Sequence, residues 1–214
     1  MKITEFRNFI SEFPYEYQSF EVNKNKWDNT DQQYTIDEIF DGKNSISINR
    51  YDLYGVGVDI KKFIVMTLMW GYPTRGRGNN INNLLEDTNF NKLYDILFHY
   101  IRNNISIEKL KEDIESTKGL GLSTITKFTH FLDTTVDGKK AVILDNQIIQ
   151  ALKKSPFKEF DGFEKINYNN AITYYPKYLQ IINDLANKMN VEPDQIEMFL
   201  FMFGKNLSNS KKID

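Results

Sequence analysis

The feature that most narrows the fold is a pair of glycines, Gly119 and Gly121, set between two apolar stripes of helical period. Before them, Ile107, Leu110 and Ile114 recur every three to four residues, with Ser106 placed to cap the run. After them, Ile125, Phe128, Phe131 and Leu132 do the same. Each stripe gives a helix one buried face, and so short a connection folds the second helix back against the first. The Gly-Leu-Gly turn leaves the amides of residues 119–124 at the head of the second helix. Amides there have no partner inside the helix, and the positive helix end adds to them. The result is an anion site that needs no net positive charge. The same glycines also read as a plain helix connection with a glycine C-cap.

That independence from net charge matters, because the chain carries 27 Lys and Arg against 29 Asp and Glu, a net charge of −2. Any contact with nucleic acid must then come from a local patch or from backbone groups. The chain has no cysteine and two histidines, His99 and His130. Disulfides, thiolate metal sites and a cysteine nucleophile are excluded, and no metal or cofactor is expected. With 41% hydrophobic and 26% charged residues, the chain is globular. Its longest apolar runs, FIVMTLMW (63–70) and IEMFLFMF (196–203), are too short to span a bilayer. The amino terminus has no apolar secretory core, so a cytoplasmic, nucleoid-associated monomer is expected.

No repeat or linker divides the chain. Residues 1–58 read as a mixed segment, with a short helix through Ile3, Phe6, Phe9 and Ile10 and possible strands at SISI (45–48) and ending at GVG (55–57). Residues 59–204 read as helices: a buried one ending at Gly71-Tyr72-Pro73, then 81–86, 90–103, the hairpin at 106–132, one after Asp145, 168–189 broken or bent at Pro176, and 193–203. An Asp-Gly turn within 134–144 joins two short β-prone runs. Residues 205–214 form a polar tail. The chain is therefore mainly α with a minor β element.

The order helix, Lys118-Gly119-Leu120-Gly121, helix, short β connection, then AVILDNQII (141–149) resembles the helix-hairpin-helix DNA glycosylases, in particular the branch around 8-oxoguanine DNA glycosylase. The resemblance covers residues 59–204 in helix order and is motif-specific over 106–152. It implies a two-lobed helical fold with a cleft for double-stranded DNA carrying a modified base. It implies that Asp145, in the catalytic region 141–154, is the catalytic aspartate. Cleavage of an N-glycosidic bond develops positive charge on the sugar, which a fixed carboxylate stabilises. Asp145 also reads as an ordinary helix N-cap, and the two roles are compatible. The resemblance further implies phosphate contacts from Gly119, Leu120, Gly121, Ser123 and Thr124, with Lys127 one turn on. Bifunctional members carry a lysine two positions after the second glycine. This chain has Ser123 there, so water is the expected nucleophile and lyase activity is not expected.

By the same resemblance, the loop WGYPTRGRGNN (70–80) reaches toward the extruded base. Arg75 and Arg77 would contact phosphate or the orphaned base, and Trp70 or Tyr72 would stack. The loop reads equally as a surface segment with two solvated arginines. Tyr174 and Tyr175 read first as core residues. The function expected is a monofunctional DNA glycosylase; the alternative is a non-catalytic helix-hairpin-helix module that binds DNA or docks a partner.

Overall fold

The computed structural model describes residues 1–54 and 59–209, so the expected strand end at 55–57 lies outside the described residues. The chain is mainly helical, with two small sheets.

A 3-10 turn at Ile3–Phe6 leads into α1 (Arg7–Ser11), where one residue in each, Ile3 and Ile10, is fully buried. β1 (Ser19–Asn23) pairs antiparallel with β2 (Ser45–Asn49), Val22 opposite Ile46. Between them lies α2 (Gln33–Phe40), which buries Ile36 and Phe40 one turn apart and ends at Asp41 in the left-handed region, φ 46°. α3 (Arg50–Tyr54) follows β2 directly and buries Arg50 and Leu53. Neither α2 nor α3 was legible from the sequence, because each is short and sets its apolar residues among polar ones.

α4 (Ile60–Gly71) starts at Asp59, whose side chain accepts from the Lys62 amide, and is apolar nearly all round. It packs against α2, β1, β2 and the later helices, which is the burial its composition requires. α5 (Asn80–Leu85) and α6 (Asp87–Tyr100) precede α7 (Ile107–Ser116), capped by the Ser106 hydroxyl, and α8 (Leu122–Phe131). α7 and α8 are the two arms of the expected hairpin. β3 (Asn104–Ile105) pairs parallel with β4 (Thr135–Val136), which turns through Asp137-Gly138 to β5 (Lys139–Lys140). α9 (Asn146–Lys153) follows.

α10 (Ala171–Met189) continues unbroken past Pro176, which lies in its second turn and cannot donate to the Ile172 carbonyl. α11 (Pro193–Phe199) begins with proline and passes without a stop into a π-helical turn, Leu200–Gly204, and then α12 (Lys205–Asn209). The expected helix end at Gly204 is thus a change of helical register. Gly204 packs so close to α9 that an added Cβ would meet the Ala151 Cβ at 2.7 Å.

The first residues are tied to the last third of the chain. Arg7 Nε donates to the Met189 carbonyl at 2.7 Å, and Gln195 Nε2 to the Ser11 carbonyl at 2.9 Å. One hydrophobic core runs through all of these elements. Among the described residues no helix is long and apolar enough to cross a membrane.

Candidate active site

The bend between α7 and α8 is built around Gly119. Its φ is +90°, which a side chain would strain, and an added Cβ would collide with the Asn80 carbonyl at the start of α5. Gly121 has an ordinary extended φ of −122°. It is small because a Cβ there would meet the Tyr168 hydroxyl at 2.7 Å. The amides of Thr124 and Ile125 both turn back to the Gly121 carbonyl at 3.0 Å. Among the described residues, the amides of Gly121, Leu122 and Ser123 donate to no protein acceptor. Gly121 and Ser123 line a groove of about 190 Å³ together with Tyr72, Arg77, Gly119, Asn146 and Tyr168, among others. Burial, helped by Tyr72, raises the Tyr168 hydroxyl above its ordinary range, so it remains an O–H donor at neutral pH.

Asp145 heads α9. Its Oδ1 accepts from the Ile148 amide at 3.0 Å, which fixes the carboxylate at the helix start. The segment before it, Ala141 to Leu144, is extended and fully buried, so its backbone groups need partners. They have them: Tyr175 donates to the Val142 carbonyl at 3.0 Å, Tyr178 to the Ile143 carbonyl at 3.1 Å, and the Leu144 amide to Thr126 Oγ1 at 3.2 Å. Tyr175 is therefore a core residue that holds the approach to Asp145.

Asp145 lines a cavity of about 70 Å³ with Gln18, Phe20, Arg50, Trp70, Gly71, Lys127, Ile143, Glu197 and Phe201. The cavity and the groove are lined by sequence neighbours. Asp145 lines the first and its neighbour Asn146 the second; so do Gly71 and Tyr72, and Lys127 and Ser123 one helical turn apart.

Lys127 is only 4% exposed. Its Nζ donates to the Ser123 carbonyl at 2.9 Å and to Ser123 Oγ at 3.0 Å, and lies 5.4 Å from the Tyr72 ring centre. Gly71 makes room for it, since a Cβ there would meet Lys127 Cδ at 2.8 Å. Thr124 is buried, with its hydroxyl 2.8 Å from the Tyr72 hydroxyl.

The two aromatic candidates part company. Trp70 lines the cavity, while Tyr72 lines the groove. Trp70 is buried, donates to the Gln18 carbonyl at 3.2 Å, and has the Arg50 guanidinium 5.4 Å from its ring centre. The two arginines also part. Arg77 lines the groove, whereas Arg75 is absent from its lining and donates to the Asp28 carbonyl at 2.9 Å.

Two groups that the sequence did not single out complete the cavity. Arg50 and Glu197 are each 1% exposed and meet at 2.6 Å through Nη2 and Oε2. Arg50 Nε also donates to Gln18 Oε1 at 2.9 Å. Burial pushes the Glu197 carboxyl up despite the pull of Arg50. For Arg50, burial works against the charge, but Glu197 and its neighbours outweigh it and raise the guanidinium.

A second buried cluster lies beside this pair on α11. Asp194 Oδ1 accepts from the Tyr54 hydroxyl at 2.6 Å and lies 2.9 Å from His130 Nε2, while its Oδ2 is 3.0 Å from Lys140 Nζ. His130 Nδ1 faces the Ala141 carbonyl at 3.2 Å. The cluster thereby ties α3, α8, β5 and α11 to the segment that leads to Asp145.

The arrangement offers unpaired amides to an anion, and a fixed carboxylate in a small cavity walled in part by Phe20, Trp70 and Phe201. No curated protein and no solved structure matches the chain. The family described as "Putative 8-oxoguanine DNA glycosylase OGG-like protein" matches residues 14–201, which takes in Arg50, the bend, Asp145 and Glu197. The chain belongs to that family of 8-oxoguanine DNA glycosylase-like proteins.

Proposed function

We propose that the protein is a monofunctional DNA glycosylase: it binds duplex DNA, extrudes a modified nucleotide and hydrolyses its N-glycosidic bond with Asp145 assisting. The observation that carries this reading is that neighbouring residues at the start of α9 line the two spaces, Asn146 the groove and Asp145 the cavity. A phosphate held by the amides of Gly121, Leu122 and Ser123 would leave its own or a neighbouring sugar within reach of Asp145, with the base directed into the cavity. Arg77 and the Tyr168 hydroxyl line the groove as further donors to the strand.

As the glycosidic bond breaks, its electron pair leaves with the base and positive charge develops on the sugar ring. The Asp145 carboxylate stabilises that charge. A water molecule then adds its oxygen to C1′. One of its protons passes through Asp145 to solvent, and the departing base takes up a proton. The products are free base and an abasic site, and the phosphodiester stays intact. Lys127 directs its amine at Ser123 through two hydrogen bonds, so it is engaged there rather than free to act as a nucleophile.

The test is a panel of duplexes carrying oxidised, deaminated and alkylated bases, assayed for free base and for alkali-labile sites. Wild type releases at least one base, and Asp145→Asn releases none while holding an abasic-analogue duplex as tightly as wild type. Equal turnover by the variant would remove Asp145 from the chemistry. Duplex binding with no release from any substrate would leave a non-catalytic DNA-binding module.

A further inference from the structure

Arg50 and Glu197 face each other through one contact, Nη2 to Oε2 at 2.6 Å. The bidentate pairing that a guanidinium and a carboxylate ordinarily favour is not made. One atom of each is left over: Arg50 Nη1 and Glu197 Oε1 are buried and have no hydrogen-bond partner. Buried polar atoms are almost always paired, and leaving one unpaired is expensive. Here a donor and an acceptor are both idle, on residues that line the same cavity as Asp145.

We infer that Arg50 and Glu197 are the specificity-determining residues of the cavity and read the edge of the extruded base, Arg50 Nη1 donating to it and Glu197 Oε1 accepting from it. The inference rests on the glycosylase reading above and names the substrate class. The base presents an N–H beside a carbonyl or ring-nitrogen acceptor on the edge away from its sugar, and a base alkylated on that edge is rejected. The chemistry is that of base-edge readout, with the donor and acceptor fixed relative to each other by their own ion pair. A methyl group on the edge nitrogen removes the proton that Glu197 Oε1 needs and puts a carbon in its place, which leaves that buried oxygen unpaired and is a strong basis for rejection.

Removing either residue alone strands a buried charge, so the variant to use is the double one, Arg50→Met with Glu197→Leu, which replaces the pair by apolar groups of similar size. The probes are duplexes carrying 8-oxoguanine, hypoxanthine or uracil, each also with a methyl group on the edge nitrogen, and a duplex with an abasic analogue. Wild type is expected to release an unblocked base at least 100-fold faster than its methylated partner. The double variant is expected to lose at least 100-fold in release yet bind the abasic duplex within threefold of wild type, since that ligand has no base to read. Release of the methylated base by wild type within threefold of its parent overturns the inference whether or not the variant folds. So does near-wild-type release by the double variant, and in both cases the glycosylase itself stands. A wild type that binds duplex but releases nothing defeats the glycosylase reading, and with it this one.

Discussion

The Lys127 ammonium reaches back one helical turn to the Ser123 side chain, 3.0 Å from its hydroxyl oxygen. The only cation that lines the cavity from α8 is therefore held at the residue that stands two positions after the second glycine of the bend. An ammonium so engaged does not attack the sugar. Borohydride added during turnover is expected to trap no covalent protein–DNA adduct, and strand breaks are expected only after alkali. An adduct on a denaturing gel that disappears in Lys127→Met would show that the lysine leaves Ser123 to form an imine.

Gly119 carries two demands at once, a left-handed backbone and contact with the Asn80 carbonyl. Gly119→Ala is expected to lower stability by roughly 1–3 kcal/mol, the usual cost of a strained backbone, and to weaken duplex binding because α8 shifts from the groove. The denaturant midpoint and a salt titration of binding check the two effects separately. Unchanged binding in a folded variant would mean that the bend does not touch the strand.

Asp145 both caps α9 and faces the cavity, and two substitutions separate the roles. Asparagine caps a helix as well as aspartate does, so Asp145→Asn should leave stability within about 0.5 kcal/mol of wild type while base release stops. Asp145→Ala loses the cap as well and should cost about 1 kcal/mol in a melt. If both variants lose stability alike and Asp145→Asn still turns over, the residue is a cap and nothing more.

Asp194 gives the fold a predictable response to acid. Burial alone would raise its carboxyl, but His130, Lys140 and Tyr54 outweigh burial and hold it well below the ordinary range. The folded state therefore binds fewer protons than the unfolded chain near pH 4, where a free aspartate titrates at about 3.9. The stabilisation is complete above the unfolded value and is lost as pH falls. Glu197, raised by burial, acts in the opposite direction and offsets part of the loss. Urea midpoints from pH 6 to 3.5 should fall for wild type and fall less for Asp194→Asn. At pH 6 the variant itself should be weaker by roughly 3–5 kcal/mol, because His130 and Lys140 lose their carboxylate. Parallel curves would refute the assignment.

The parts of the molecule legible in the sequence were those encoded locally. The stripes of α7 and α8, the Asp-Gly turn and the apolar run of α4 each sit within a dozen residues, and each forms where its pattern puts it. Asp145 was visible because a cap before an amphipathic run is a local signal as well. The walls of the cavity were not, because Gln18, Arg50 and Glu197 come from three distant stretches. One clue did exist: Glu197 is the single charge in IEMFLFMF (196–203), and a carboxylate in such a run needs a buried partner. Its identity could come only from the fold. Tyr168 gave no clue at all, since it lies in a polar loop and matters only because the fold lays it over Gly121.

Arg50 and Glu197 lie 147 positions apart. Any chain that stops short of α11 lacks both the wall that Glu197 provides and the buried partner that Arg50 requires. On the reading proposed here, choice of base therefore depends on α3 and α11 together, two elements that only the finished fold brings side by side.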